Sequence, residues 1–232
     1  MKFGPKIVTD GLVLALDAAN PNSYAGSGTA WNDLTPNKNN GTLVNGPTFS
    51  EDGGGSIVFD GVNDYVFRNT LVNVGNDFSV FAWVKPGNIN IRDGIVGNSY
   101  PYSGREGFFM GTATNYAGLT NTFFITVGAD SAYYTSANNS ITRNIWNYIG
   151  GTVVNGGQDI KLYVNGIETS YVGGVLNSGT ITYNTNQLYI GGRYSNNLET
   201  FTGNIAIAQI YNRVLSSQEI LQNYNALKDR FI

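Results

Sequence analysis

The stretch SIVFDGVNDYVFRN, residues 56–69, contains two apolar and aromatic runs joined by a short polar segment. That segment places Asp60, Asn63 and Asp64 within five positions. Asp-Gly and Asn-Asp pairs are typical of tight turns, because short polar side chains hydrogen-bond to nearby backbone N–H groups. The stretch therefore predicts two strands and a tight connection, in which Asp60 and Asp64 accept hydrogen bonds from the backbone.

A calcium site is the alternative interpretation of the same three residues. Ca²⁺ takes about six to eight oxygen ligands from carboxylates, amides and backbone carbonyls. A calcium loop usually alternates its acids and ends in Glu, and the sequence Asp-Gly-Val-Asn-Asp does neither. The spacing favours a structural turn. No metal ligand and no cofactor is predicted, and a structural calcium ion is the less favoured alternative.

Strand signals of the same kind recur along the chain, separated by Asn-Gly and Gly-Gly turns. DFSVFAWVKP, residues 77–86, has apolar side chains on both faces, which indicates a central strand covered on both sides. The two faces are Phe78, Val80, Ala82 and Val84, against Phe81 and Trp83. In DIKLYVNG, residues 159–166, the alternation predicts that Lys161 and Tyr163 face outward. Many short strands at this spacing predict an all-β sandwich or barrel.

One short helix is predicted near the C-terminus, in VLSSQEILQNYNALKDRF, residues 214–231. Ser216 and Glu219 have the spacing of a capping box, and Leu215 and Ile220 have the spacing of a hydrophobic staple. Two further segments are predicted to lack regular structure. They are an N-terminal arm over residues 1–10 and a loop-like tract over residues 20–56, which is rich in Asn, Gly, Pro, Ser and Thr.

Composition excludes several classes of function. The chain of 232 residues carries a net charge of −3 and no run of Lys or Arg, so neither nucleic acid nor a membrane surface is an expected partner. His and Cys are absent, which excludes Ser-His-Asp and Cys-His nucleophiles. The apolar run at 12–16 is too short for a signal peptide, so no secretory leader is expected.

Four segments, in this order, resemble laminin-G-like domains of the concanavalin A-like lectin/glucanase superfamily. They are FDGVNDYV, DFSVFAWVKP, WNYIGGTVVNGGQDIKLYVNGIE and LYIGGRYSNNLETFTGNIAIAQIYNRVLSSQEILQNYN. The resemblance covers about residues 10–226. It implies a two-sheet antiparallel jelly-roll sandwich with one short C-terminal helix, formed by a single domain over residues 11–232.

The N-terminal segments GLVLALDAANPNSY, WNDLT and NNGTLVNGPTFS are similar to members of this family in the virions of tailed bacteriophages. This similarity implies a non-enzymatic virion surface protein, either a capsid decoration or head-fibre subunit or a tail-fibre component. Other virion proteins and further copies of the chain are then the expected partners. The expected location is the virion surface, after synthesis in the host cytoplasm. The alternative is a free-standing carbohydrate-binding module or adhesin of a bacterium.

The superfamily includes glucanases, whose active strand carries the pattern Glu-x-Asp-x-x-Glu. This chain has no such pattern: Glu51 and Asp52 are adjacent, and Asp159, Glu168 and Glu199 are isolated. Retaining hydrolysis needs two carboxyl groups about 5 Å apart across the scissile bond. The sequence therefore predicts no catalytic residue and no enzymatic activity.

Weak glycan binding is predicted in three loops rich in Tyr and Asn. Aromatic faces stack on sugar rings, while amide and guanidinium groups bond to sugar hydroxyls. The loops are NSYPYSGREGFF, ADSAYYTSANN and GGRYSNNLETF. The candidate ligand-binding residues are Tyr100, Tyr102, Arg105, Tyr133, Tyr134, Arg193, Tyr194 and Asn196.

Overall fold

The computed structural model describes residues 5–72, 74–87, 92–98, 107–114, 118–128, 132–136, 138–172, 180–181, 183, 187–192 and 199–232. In chain order the strands are β1 (Leu12–Asp17), β2 (Ala30–Trp31), β3 (Gly41–Val44), β4 (Thr48–Ser50), β5 (Ser56–Asp60), β6 (Tyr65–Arg68), β7 (Phe78–Pro86), β8 (Asp93–Gly97), β9 (Phe108–Ala113), β10 (Thr122–Val127), β11 (Ala132–Ser136), β12 (Asn147–Val154), β13 (Asp159–Val164), β14 (Ile167–Thr169), β15 (Tyr171–Val172), β16 (Leu188–Ile190) and β17 (Thr202–Tyr211).

These strands form two antiparallel sheets. Sheet 1 has the spatial order β14-β13-β12-β7-β17-β5-β4, with β1 also paired to β17. Sheet 2 has the order β15-β11-β10-β9-β8-β16-β6-β3-β2. One apolar core, to which strands of both sheets contribute, lies between them. The described part of the chain thus confirms the predicted all-β sandwich.

Strand β7 lies in the middle of sheet 1, between β12 and β17. Phe78, Val80, Ala82 and Val84 belong to the core between the sheets, whereas Phe81 and Trp83 belong to a second core on the outer face. All six side chains are fully buried. The alternation of residues 77–86 therefore predicted the central strand correctly.

The second core forms beneath the helix α1 (Ser217–Leu227). Ser216 and Glu219 form the predicted capping box, and the buried Leu215 and Ile220 occupy the staple positions. After α1, a 3₁₀ turn at Lys228–Arg230 leads into Phe231, whose ring stacks on Trp83 with the centroids 4.1 Å apart. The helix and the residues after it cover the outer face of sheet 1.

The tract 20–56 was wrongly expected to lack regular structure, whereas Tyr163 faces outward as predicted and is nevertheless buried. Tyr163 does lie on the outer face of β13, but it is buried under the helix, with its hydroxyl 3.4 Å from Ser217 Oγ. The tract 20–56 contains the short strands β2, β3 and β4: β2 pairs with β3, β3 with β6, and β4 with β5. The burial of Tyr163 and the β3–β6 pairing depend on tertiary contacts, which a local sequence pattern does not show.

Residues 5–10, which lie in the predicted N-terminal arm, pack near the helix. The buried Val8 donates its N–H to Asn223 Oδ1 at 2.7 Å and accepts a bond from the Tyr211 hydroxyl at 3.0 Å. Asn223 in turn donates to that hydroxyl at 3.0 Å. This buried network joins the N-terminal segment, the last strand and the helix. None of the helices in the described part of the chain has the length and apolar character needed to cross a membrane.

The polar segment at 60–64 connects β5 of sheet 1 with β6 of sheet 2. Asp64 Oδ2 accepts a hydrogen bond from the Asp60 N–H at 3.1 Å, and Asp60 Oδ1 accepts from the Val62 N–H at 2.8 Å. Asp64 is nearly buried, and this desolvation raises the pKa of its carboxyl group. The two carboxylates therefore have the turn-forming role that their spacing predicted.

Substitution of Asp64 by Ala should lower the free energy of unfolding by about 1–2 kcal/mol, because it leaves the Asp60 N–H without its partner. Urea denaturation measures the change. Val62→Ala in the same turn is the control, since Val62 is 62% exposed and should have little effect. Added Ca²⁺ should leave the melting temperature unchanged, and a rise would contradict the structural role.

The Arg213–Glu219 pair should make stability depend on acid pH. The guanidinium, 2.6 Å from Glu219 Oε1, is the main reason that the Glu219 pKa is lowered to about 2. A lowered pKa in the folded state stabilises the fold above the ordinary value of 4.5, and the stabilisation is lost as pH falls towards 2. After allowance for solvent screening, we expect about 1–2 kcal/mol.

The measurement is urea denaturation of Glu219→Gln and the unaltered protein, at neutral pH and at a pH between 2 and 4.5. Gln retains the capping bonds to Ser216, so the difference isolates the ion pair. That difference should shrink at the lower pH. Glu168→Gln is the control, because Glu168 and Lys161 are 3.8 Å apart and both are largely exposed. An equal effect of both substitutions would contradict the assignment.

Candidate functional site

The candidate site lies on the outer face of sheet 2 and includes residues of the stretch 56–69. Val66 points into the core between the sheets, so its neighbours Tyr65 and Phe67 lie on the opposite face of β6. Tyr189 of β16 is directly opposite Phe67 in the strand register. Side chains of directly paired residues share one face of a sheet, so the three rings lie together.

The three rings form a compact cluster. The Phe67 and Tyr189 centroids are 5.3 Å apart, those of Tyr65 and Tyr189 are 5.9 Å apart, and those of Tyr65 and Phe67 are 6.5 Å apart. Tyr189 is nearly buried and donates its hydroxyl to Gln187 Oε1 at 2.8 Å, whereas Tyr65 and Phe67 are partly exposed. Tyr189 thus supports two rings that solvent can reach.

The cluster is part of a row of directly paired positions across sheet 2. The row runs through Thr42, Phe67, Tyr189, Gly97, Phe109, Thr126 and Tyr133. Phe109 and its neighbour Phe124, with centroids 5.7 Å apart, form a small buried core on this face. We call Tyr65, Phe67, Tyr189, Phe109 and Phe124 the aromatic band. Only Tyr65 and Phe67 at one end are partly exposed.

The buried end of the aromatic band adjoins an ion pair. The Arg92 guanidinium lies 4.6 Å from the centroid of Phe124, a distance at which the cation is attracted to the ring face. Arg92 also pairs with Glu199 at 3.3 Å. In the same row, the buried hydroxyl of Thr126 has no hydrogen-bond partner within the described part of the chain.

Polar groups border the exposed end of the aromatic band. Thr42 is exposed and directly opposite Phe67 on β3. Asn45, just after β3, donates its amide to the Asn63 carbonyl at 2.8 Å, which fixes the two polar turns beside each other. The exposed end of the aromatic band therefore combines aromatic surface with uncharged polar groups, which makes it a candidate contact surface.

Most of the eight residues predicted as ligand-binding lie outside the described residues. These are Tyr100, Tyr102, Arg105, Arg193, Tyr194 and Asn196. Tyr133 and Tyr134 lie in β11, where the backbone pairs them with Thr126 and Ile125. Tyr133 thus occupies a register position in the row described above. The role of all eight residues stays a prediction.

Two of the loops predicted to bind glycans have end residues that the structure describes. One loop begins just after the end of β8, and the other ends beside the start of β8. Asn98 and Gly107 flank one loop at the end of β8, and the Asn98 Oδ1 accepts a bond from the Phe108 N–H at 2.9 Å. Glu199 follows the other loop, and its carbonyl accepts a bond from the Gly94 N–H at 2.6 Å, near the start of β8. The aromatic band lies between these two anchor points.

Several carboxylates of the described residues are committed to structural contacts. The ion pairs are Asp17–Arg230, Asp52–Lys85, Glu168–Lys161, Glu199–Arg92 and Glu219–Arg213. Asp33 is buried and accepts four hydrogen bonds, and Asp60 and Asp64 form the turn between the sheets. Within the described ranges, no three acidic side chains gather in the way that a metal ion would need.

The two antiparallel sheets form a sandwich of the concanavalin A-like type. The chain belongs to the concanavalin A-like lectin/glucanases superfamily, whose family model matches residues 59–221. This match confirms the resemblance stated from the sequence. A search of curated proteins found no match.

Solved structures with the same fold come from proteins of different kinds. Domain 4 of the arabinanase AbnA from Geobacillus stearothermophilus, in complex with arabinotriose, is 17% identical with a TM-score of 0.69, and the alignment covers 92% of this chain and 98% of that domain. Trypanosoma rangeli sialidase with sialic acid is 18% identical with a TM-score of 0.69, over 98% of this chain and 35% of the sialidase.

The binding domain of Paraclostridial Mosquitocidal Protein 1 is 17% identical with a TM-score of 0.60, over 93% of this chain and 52% of that domain. The chain therefore spans about a third of the sialidase and about half of the toxin domain. At these identities the similarity is one of fold.

Tyr65, Phe67 and Tyr189 were not among the residues predicted from the sequence. The signal for Tyr65 and Phe67 is present in DYVFRN, where they alternate with the core residue Val66. Apolar or aromatic side chains on both faces of a strand indicate either a covered strand or a binding surface, and the pattern does not distinguish them. The pairing of β6 with β16, which brings in Tyr189, depends on the fold.

Gly97→Ala should disrupt the aromatic band, because the glycine occupies the row between Tyr189 and Phe109. A Cβ at Gly97 would lie 2.6 Å from the Phe108 carbonyl oxygen and 2.9 Å from Phe109 Cδ2. We expect a loss of about 1–3 kcal/mol in the free energy of unfolding.

Gly192→Ala is the matched control for this substitution. Its nearest neighbour would be the Tyr65 Cβ at 3.7 Å, an ordinary contact. Thermal melting of the two variants tests the assignment, and equal melting temperatures would show that Gly97 is not required for the packing of the aromatic band.

Proposed function

We propose that this chain is a non-enzymatic glycan-binding module of a virion surface, and that the exposed end of the aromatic band is its sugar-stacking surface. The observation that carries the proposal is the pair of partly exposed rings, Tyr65 and Phe67, held on the nearly buried Tyr189. Rings fixed in this way lose little conformational entropy when a ligand binds. Aromatic side chains supply a large contact area with a specific geometry.

The relatives support carbohydrate as the ligand. The arabinanase domain was solved with arabinotriose, and its whole length corresponds to this chain, with 98% covered. The toxin structure is of a domain described as a binding domain. A domain of this fold that binds sugar without catalysis needs an accessible stacking face and polar groups, and Thr42 and Asn45 border that face here.

Several carboxylates form ion pairs or turns, and this supports a function without catalysis. Glycoside hydrolysis needs one carboxyl group as acid and a second as base or nucleophile on either side of a bond. Glu199 is paired with Arg92, and Asp64 is used by the turn backbone. A carboxylate held in an ion pair or a buried turn is poorly placed to exchange protons with a substrate.

The virion role rests on the N-terminal segments and their similarity to phage proteins. We propose the virion surface as the location, with other virion proteins and further copies of the chain as partners, in a capsid decoration, a head fibre or a tail fibre. The second candidate is a free-standing carbohydrate-binding module or adhesin of a bacterium, and the match to domain 4 of the arabinanase, solved with arabinotriose, supports its carbohydrate-binding part.

Phe67→Ala should weaken glycan binding at least tenfold, which corresponds to about 1.4 kcal/mol, because the stacking face is lost. A glycan array with and without EDTA identifies a ligand, and titration of that ligand measures the loss. Tyr171→Ala on strand β15 is the control, since Tyr171 is exposed at the far edge of sheet 2.

Tyr102→Ala and Tyr194→Ala test the loops predicted from the sequence. If no glycan binds, or if Phe67→Ala binds normally, the proposed site is wrong.

Particle fractionation tests the virion role separately from sugar binding. The protein should co-purify with capsids or tails from infected cells. Its absence from both fractions, together with a positive glycan array, would favour the free-standing module.

A further inference from the structure

A second candidate binding site lies in the tract between β1 and β3. A pocket of about 450 Å³ opens there, within the range of small-molecule sites. Its lining residues are Asn22, Asn32, Asp33, Leu34, Lys38 and Asn40. None of these residues belongs to the aromatic band, and five of the six lie in the connection between β2 and β3, at one edge of sheet 2.

The frame of the pocket is a hydrogen-bond network around the buried carboxylate of Asp33. Oδ1 accepts the N–H groups of Ala15 and Thr35 at 2.9 and 3.0 Å. Oδ2 accepts the Thr35 hydroxyl at 2.7 Å and the Asn39 N–H at 2.8 Å. A carboxylate that accepts four such bonds is saturated. Asp33 therefore shapes the pocket wall and is not available as a metal ligand or a catalytic base.

Ser23 fixes the other side of the frame. This fully buried residue donates its hydroxyl to the Asn32 carbonyl at 2.6 Å and accepts a bond from the Asp17 N–H at 3.1 Å. Its own carbonyl accepts the Asn32 N–H at 2.7 Å. The backbone of Asn32, and that of the adjacent Asn22, is thus fixed before any ligand arrives, which lowers the entropic cost of binding.

The polar groups that face this pocket are, in contrast, largely unused. The side-chain amides of Asn22 and Asn32 and the ammonium group of Lys38 make no hydrogen bond or ion pair in the described part of the chain. Asn40 accepts the Asp33 N–H through Oδ1 at 2.9 Å, which leaves its amide N–H groups available. Leu34 adds an apolar surface that is 39% exposed.

The backbone at Lys38, beside the pocket, has an uncommon conformation. Its φ of +54° is in the left-handed region, which residues other than Gly, Asn and Asp rarely adopt. Two contacts hold it there: the Lys38 N–H donates to the Thr35 carbonyl at 3.4 Å, and its carbonyl accepts a bond from Arg68 at 3.4 Å. Strained backbone of this kind is concentrated at ligand sites.

We infer that this pocket is a second sugar-binding site, independent of the aromatic band. Carboxamides both donate and accept, which matches sugar hydroxyls, and an exposed Leu suits the C–H face of a sugar ring. A phosphate ligand would need more than the single cation Lys38, and a metal ion would need carboxylate oxygens that Asp33 does not offer. The ligand class that fits is therefore an uncharged or singly charged sugar.

The experiment is a titration of the isotope-labelled full chain, followed by NMR of the Asn side-chain amides. The probes are maltotriose, lactose, N,N′-diacetylchitobiose and glucuronic acid at millimolar concentration. At least one probe should shift the side-chain signals of Asn22, Asn32 and Asn40. Asn32→Ala and Lys38→Ala should each weaken that response at least tenfold, with unchanged thermal melting.

Two controls separate this site from the proposed function. Lys161→Ala, on the far side of sheet 1, and Phe67→Ala in the aromatic band should both leave the probe-induced shifts of the Asn22, Asn32 and Asn40 side chains unchanged, whatever Phe67→Ala does to binding at the aromatic band. The inference is overturned if no probe shifts the pocket signals, or if both pocket variants respond like the unaltered chain. A response that only Phe67→Ala abolishes would retain the aromatic band and reject the pocket.

Discussion

Strand β7 carries large apolar side chains on both faces, and the rest of the structure depends on covering both of them. Sheet 2 covers the face that contains Phe78 and Val80. The other face presents Phe81 and Trp83, which in a two-layer sandwich would be exposed to water. Burial of an aromatic side chain contributes on the order of 1.5–3 kcal/mol, so a third layer is strongly favoured. Helix α1 and Phe231 supply that layer, and for this reason sheet 1 has no outer surface free for a ligand over its centre.

The same constraint divides the chemistry of the protein between the two sheets. Sheet 1 uses its outer aromatic residues for packing, whereas sheet 2 has partly exposed rings at Tyr65 and Phe67. Several carboxylates of the described residues take part in turns, ion pairs and the support of loops, as with Asp64 and Asp33. The exposed end of the aromatic band combines aromatic surface with the uncharged polar groups of Thr42 and Asn45. These groups suit neutral, hydroxyl-rich ligands better than ions.

The fold was predictable from the sequence wherever the signal is local. Alternation over 77–86 identified the central strand, and the Ser216–Glu219 spacing identified the start of the helix. The site was less predictable, because its parts meet only through strand pairing: Tyr189 joins Phe67 across β6 and β16, which are far apart in the chain. Strand β3 within 20–56 was missed for the same reason, and β2 and β4 were missed because they are only two and three residues long. Their residues are typical of loops, and β3 is fixed by its pairing with β6.

The hydrogen-bond network of Val8, Tyr211 and Asn223 determines which side of the protein faces outward when the protein is attached through one of its ends. It holds the N-terminal segment against the helix, while Phe231, one residue before the C-terminus, stacks on Trp83 of the same sheet. Both ends of the described chain therefore emerge on the helix-covered side, and the aromatic band lies on the opposite side. A fusion partner, a linker or a solid support joined at either end would contact the helix-covered side of sheet 1. Tyr65 and Phe67 would then face away from it.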